Sequence, residues 1–144
     1  MRLNAMTITV LIVDDDASLR VLVSRQLGRL GYHVLEAANG AEAEAKVIEI
    51  QPKVVLLDIM MPLQDGYATC ANLRKQGYDG GIVMISAMEK AANSERLFAL
   101  GGDDYLEKPV RLDELGRCLI SCLVKRELHK EKRCKNSSQA IMRY

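Results

Sequence analysis

The sequence lacks any strong charge imbalance. Its 20 Lys/Arg and 19 Asp/Glu leave a formal net charge of +1, so composition alone points to no nucleic-acid partner. It also lacks a long apolar run, and none approaches the roughly 18 residues that a membrane-spanning helix needs. The stretch from Met1 to Thr9 is too short and too polar to read as a signal peptide. These absences predict a cytoplasmic chain with no membrane span. No CxxC pair occurs among Cys70, Cys118, Cys122 and Cys134. No His or further Cys stands at ligand spacing, which argues against a zinc site or a secreted disulfide framework. Reduced thiols are the expectation, with Cys118 and Cys122 on one helical face. No GxGxxG follows the first apolar run, so a dinucleotide-binding domain is excluded. No helix-turn-helix unit is legible, which argues against direct DNA binding by this chain.

What is present fits one domain. A chain of 144 residues with 49% hydrophobic side chains can bury a single core. Short β-branched runs alternate with helical patterns. Ile8 to Val13 is continuous and apolar, as in a strand buried on both faces. Leu19, Leu22, Val23, Leu27 and Leu30 then recur at helical spacing up to Gly31. Tyr32 to Glu36 reads as a second, more polar strand. A helix carrying Ala43, Val47 and Ile50 follows and stops at Gln51-Pro52. Val54 to Leu57 is a third strand ending at Asp58, and a helix begins near Asp65-Gly66 and reaches about Gln76. Ile82 to Ile85 is the fourth strand, Lys90 to Leu100 the fourth helix, and Asp104 to Leu106 the fifth strand. Arg111 to about Leu128 is the last helix, with Leu112, Leu115, Leu119 and Leu123 on one stripe. Five βα units in succession predict an α/β protein, a parallel sheet covered by helices on both faces.

The last residues differ in charge. Leu123 to Tyr144 holds seven Lys/Arg and two Glu, while the preceding 122 residues hold thirteen basic and seventeen acidic ones. The basic end reads as an extended last helix running out into solvent, or as a docking segment for an anionic surface.

The chemistry gathers at strand ends. Asp14, Asp15 and Asp16 follow the first strand, and Asp58 follows the third. In a doubly wound sheet, ligands bind beyond the carboxyl ends of the strands where strand order reverses. If the first and third strands are neighbours, Asp14, Asp15 and Asp58 converge. Crowded carboxylates repel one another, and a hard cation such as Mg²⁺, which prefers oxygen ligands, relieves that repulsion. Ser86 ends the fourth strand and Lys108 follows the fifth, supplying a hydroxyl and an ammonium. Taken singly these are ordinary features. Asp is favoured at helix N-termini, and Asp16 need be no more than that. A Ser at a strand end is usually a turn residue. Together, in this order, they describe a site that accepts a phosphoryl group on a carboxylate.

Four segments carry a resemblance. LIVDDD (Leu11 to Asp16), LLDIMMPLQDG (Leu56 to Gly66), MISAM (Met84 to Met88) and YLEKP (Tyr105 to Pro109) resemble the signature blocks of response-regulator receiver domains of two-component signalling. The resemblance covers roughly residues 8 to 126. It implies a chemotaxis-regulator-like domain over 1–126, with 127–144 as a basic C-terminal helical extension or tail. It implies a flavodoxin-like (βα)5 three-layer sandwich with a five-stranded parallel sheet of order 2-1-3-4-5. Asp58 would be the phosphoacceptor. Asp14, Asp15, Asp58 and the backbone carbonyl of Met60 would hold Mg²⁺. Ser86 and Lys108 would stabilise the phosphoryl group, with serine standing where threonine is more usual. Ser86 and Tyr105 would form the switch.

The resemblance also implies partners: a histidine kinase or histidine phosphotransfer protein as donor, and a downstream protein target. The signalling face would be the fourth helix, fifth strand and fifth helix, which is also where a homodimer would form. Such a domain catalyses only its own aspartyl phosphorylation and dephosphorylation. Met60 and Met88 occupy two positions that tune phosphate loss in this family; both are apolar here, which predicts a long-lived phosphoryl state. The residues alone would make Tyr105 a surface tyrosine on an edge strand, and Met60, Met61 and Met88 core fillers.

Two other readings compete. A Mg²⁺-dependent phosphohydrolase with an aspartyl-phosphate intermediate typically needs an acid two residues after the nucleophile, where Met60 stands, and a cap domain for which 144 residues leave no room. A binding module that signals without phosphorylation would not need the full set of side chains present here.

Overall fold

The computed structural model describes residues 7–142, and the side chains among them apart from those of residues 90, 91 and 137–142. Most of the polar leading stretch and the last two residues of the basic tail lie outside the described residues. Five strands form: β1 Thr9–Val13, β2 His33–Ala37, β3 Val54–Asp58, β4 Gly81–Ser86 and β5 Asp104–Glu107. Every pairing is parallel, and the sheet order is β2-β1-β3-β4-β5. Five helices alternate with them: α1 Ala17–Arg29, α2 Gly40–Ile50, α3 Gly66–Lys75, α4 Lys90–Ala99 and α5 Leu112–Met142. This is the expected doubly wound, flavodoxin-like (βα)5 sandwich.

Strand alternation divides the core in two. Leu11, Val13, Val55, Leu57, Met84 and Tyr105 point to one face and pack against α2, α3 and α4. Val10, Ile12, Leu56, Val83, Ile85 and Leu106 point to the other, against α1 and α5. The three middle strands β1, β3 and β4 are buried on both faces, which is why they read as unbroken apolar runs. β2 lies at one edge, partly exposed, and starts one residue later than its sequence suggests.

Local chemistry fixes the helix starts. Asp16 caps α1 by accepting from the Ser18 and Leu19 amides, so it is the N-cap its position suggested. Asn39 caps α2, accepting from the Glu42 amide while the Glu42 carboxylate accepts from the Ala38 amide. Asp65 caps α3 through the Ala68 amide.

The last helix continues past the end of its apolar stripe into the basic segment, in line with the extended-helix reading. It runs to Met142, well past Leu128. Near its middle, Arg126 pairs with buried Asp103 at 2.5 Å, and farther along Arg133 approaches Asp79 at 3.9 Å, both of these last side chains exposed. Its core stripe differs from the expected one. Leu115 and Leu119 are buried, but Cys118 and Cys122 complete the stripe, while Leu112 is exposed and Leu123 only half-buried.

Candidate functional site

The acids meet because of register. Val13 of β1 lies beside Leu57 of β3, so the residues that follow, Asp14 and Asp58, leave the sheet side by side. β4 is next, with Ile85 paired to Asp58, and β5 pairs Glu107 with Ser86. Asp14, Asp58, Ser86 and Lys108 therefore stand in a row along the carboxyl edge. Lys108 leans back over it: its Nζ is 3.2 Å from Asp14 Oδ2 and 3.5 Å from Asp58 Oδ1. The Lys108 amide donates to the Ser86 carbonyl at 2.8 Å, anchoring the base of the side chain.

Asp14, Asp15 and Asp58 each offer a carboxylate oxygen within 4.8 Å of the others. Asp14 and Asp58 are buried, at 4% and 5% exposure, and Asp15 faces solvent. Burial is the first reason that the Asp58 carboxyl is pushed up to about 6, and the neighbouring Asp14 charge is the second; Lys108 and the Met60 amide pull the other way. All three donors are hard oxygen ligands with one open side, a set that suits a divalent ion such as Mg²⁺.

Ser86 is buried, and its Oγ accepts from the Met88 amide at 3.2 Å. The Met88 carbonyl in turn accepts from the Tyr105 hydroxyl at 2.9 Å. Tyr105 is 1% exposed, so the surface tyrosine expected from its edge strand is corrected. In this strand Tyr105 points toward α4 and Leu106 to the opposite face, and burial pushes the phenol's pKa up. The methionines divide as well. Met61 is core and Met88 packs against it, but the Met60 side chain is 64% exposed and is no core filler. The Met60 amide approaches Asp58 Oδ1 at 3.4 Å, and Met60, Met61 and Met88 line one depression with Tyr67 and Arg96.

Three site neighbours escaped the sequence reading. Gly66 lies so close to the β3 exit that a Cβ there would stand 2.4 Å from the Asp58 carbonyl oxygen, and its amide donates to the Ile59 carbonyl at 2.8 Å. The sequence placed Gly66 in a signature block and at a helix start, but nothing in it pointed to this close approach. Arg20 donates to the Asp14 carbonyl at 2.7 Å while pairing with Glu36 at 3.2 Å. Leu63, on the loop from the site to α3, is fully exposed with φ of 70°.

Residues 10–119 match the family described as the response regulator receiver domain. The chain belongs to that family. It is 43% identical over 106 residues to the protein named Probable transcriptional regulator ycf27 in Guillardia theta, a match covering 74% of this chain and 41% of that protein. It is 41% identical over 112 residues to the response regulator MprA of Mycobacterium sp. (strain KMS), covering 76% and 48%. The chain thus spans less than half the length of these curated relatives. In structure it resembles chemotaxis protein CheY4 of Vibrio cholerae, with 32% identity and a TM-score of 0.78 over 82% of this chain and 100% of that one. The receiver domain therefore presents a phosphoacceptor-type fold of two-component signalling with a three-aspartate candidate site for a divalent cation. Among its described residues no helix is long and apolar enough to cross a membrane.

Proposed function

We propose that this receiver domain takes a phosphoryl group from a phosphohistidine, on a histidine kinase or histidine phosphotransfer protein, onto the Asp58 carboxylate. The observation that carries this reading is the convergence of Asp58 with Asp14, Asp15 and Lys108 at one sheet edge. Asp14, Asp15 and Asp58, with the Met60 backbone carbonyl, would hold Mg²⁺. Bound there, the ion would neutralise charge on the transferring group and relieve repulsion among the acids. Asp58 contributes the attacking oxygen. The new O–P bond forms as the N–P bond of the phosphohistidine breaks, and the imidazole leaves with the electron pair. Lys108, already 3.5 Å from Asp58, pairs with a phosphoryl oxygen, and the Ser86 hydroxyl donates to another.

The link Ser86–Met88–Tyr105 supports a switch. A Ser86 hydroxyl drawn to the phosphoryl group pulls on the loop that also holds the Tyr105 hydroxyl. That loop leads into α4, so the α4–β5–α5 face is where a downstream protein reads the state. In this proposal residues 1–126 work as the receiver in the cytoplasm, and 127–144 serve as its basic extension. Incubation with acetyl phosphate and Mg²⁺ tests the assignment. Mass mapping should place one phosphoryl group on Asp58, and Asp58→Asn should abolish it. Undiminished labelling of the variant would reject the assignment.

A further inference from the structure

α5 carries apolar side chains that the body does not use. Its core side holds Leu115, Cys118, Leu119 and Cys122. On the opposite side Ile120, Val124 and Leu128 stand 61%, 55% and 53% exposed. They follow one another at i, i+4 and i+8, so they form one stripe facing away from the sheet. Charges continue that stripe at both ends. Asp113 and Arg117 precede it, and Glu131 and Lys135 follow it, all exposed.

The order of these residues has a symmetry. About Val124, Ile120 mirrors Leu128, Arg117 mirrors Glu131, and Asp113 mirrors Lys135. Each mirrored pair is apolar with apolar or acid with base. A helix face of this kind complements its own copy in the antiparallel sense, about a two-fold axis perpendicular to the helix. We propose that the outer face of α5 pairs with the same face of a second copy of this chain, antiparallel, about a two-fold axis through Val124. The contact sets Val124 on Val124, and flanks it twice with Ile120 on Leu128. Outside these, Arg117 of each copy meets Glu131 of the other, and Asp113 meets Lys135. In the single chain Arg117 already reaches Asp113 at 3.7 Å, so the pairing builds a four-charge cluster at each end of the seam. A parallel pair would instead set Arg117 on Arg117 and Glu131 on Glu131, which like-charge repulsion opposes. The antiparallel pairing places self-association on α5 alone, rather than on the α4–β5–α5 face that the family resemblance suggested. It leaves α4 and β5 open to other proteins.

Sedimentation velocity on the full chain, from about 10 µM to about 1 mM, reads the outcome. The wild type should pass from monomer to dimer across that range. Val124→Lys, which sets two ammonium groups face to face, should weaken the dimer at least about tenfold. Arg117→Glu and Glu131→Arg should each weaken it, and the double variant should recover most of the loss, because the reversed charges again face each other. All these positions are exposed, and circular dichroism melts check that the monomer fold is kept. A wild type that stays monomeric would overturn the proposal. So would a dimer indifferent to Val124→Lys, or a double variant no better than its parents. The measurement needs no phosphorylation, so its result is independent of the role assigned to Asp58.

Discussion

At the scale of single residues, Asp58 sets the behaviour of the metal-free protein. Its carboxyl is raised from 3.8 to about 6, by burial and then by Asp14. The folded state therefore favours the protonated form. The stability this contributes is complete below about pH 4 and is lost as pH rises through about 6. A divalent ion competes with that proton. Added Mg²⁺ should therefore raise the melting temperature more at pH 7.5 than at pH 5, as differential scanning fluorimetry with and without EDTA would show. Equal shifts at both values would contradict the placement of the ion beside Asp58. Met60 and Met88 are expected to lengthen the phosphate lifetime. Both line the depression next to the site, where apolar side chains disfavour an ordered attacking water. Autodephosphorylation of a Met60→Asn, Met88→Glu variant should be faster than that of the wild type; equal or slower decay in the variant counts against this role. The acids, Ser86 and Lys108 were legible in the sequence because an apolar strand delivers its next residue to a known edge. Tyr105 was not, because a four-residue edge strand is too short for its alternation to reveal which face is covered.

At the scale of elements, the joint between β3 and α3 matters most. Gly66 lets the α3 N-terminus lie against the Asp58 backbone. Gly66→Ala would force one of them to move, at a cost of about 1–3 kcal/mol. It should also slow labelling of Asp58 by acetyl phosphate, while a substitution at exposed Gln51 leaves labelling unchanged. Labelling at the wild-type rate in the alanine variant would argue against the joint as a positioning device. The five strands and the first four helices were readable to within a residue or two, since most are apolar patterns ended by Gly, Pro or Asp. The apolar stripe of α5 gave out at Leu128, and only the basic segment's reading as an extended helix carried the element further. From His129 to Asn136 every residue but Cys134 is polar and none is buried; the helix's contacts to the body include Arg126 on Asp103 and Arg133 on Asp79, partners distant in sequence.

At the scale of the whole molecule, the two ends of the sheet carry opposite arrangements. The carboxyl edge gathers three acids around one lysine. At the other edge Asp103, its side chain 3% exposed, is gripped by Arg74 at 3.1 Å and Arg126 at 2.5 Å, and accepts from the Ile82 amide at 2.9 Å. That knot joins α3, β4, the start of β5 and α5. Asp103→Ala would leave two guanidinium groups crowded without their anion, a loss of about 3 kcal/mol. For a domain of this size that lowers the melting temperature by about 10 °C, and a shift under about 2 °C would show that the knot does not hold the fold. A separate consequence comes from the sulfur inventory. Cys70, Cys118 and Cys122 are buried, and burial pushes the Cys70 thiol up to about 11 and that of Cys122 to about 12. Cys134 alone is exposed. The native chain therefore accepts a maleimide dye at one defined point on its long helix, a built-in attachment position for fluorescence without any engineered change.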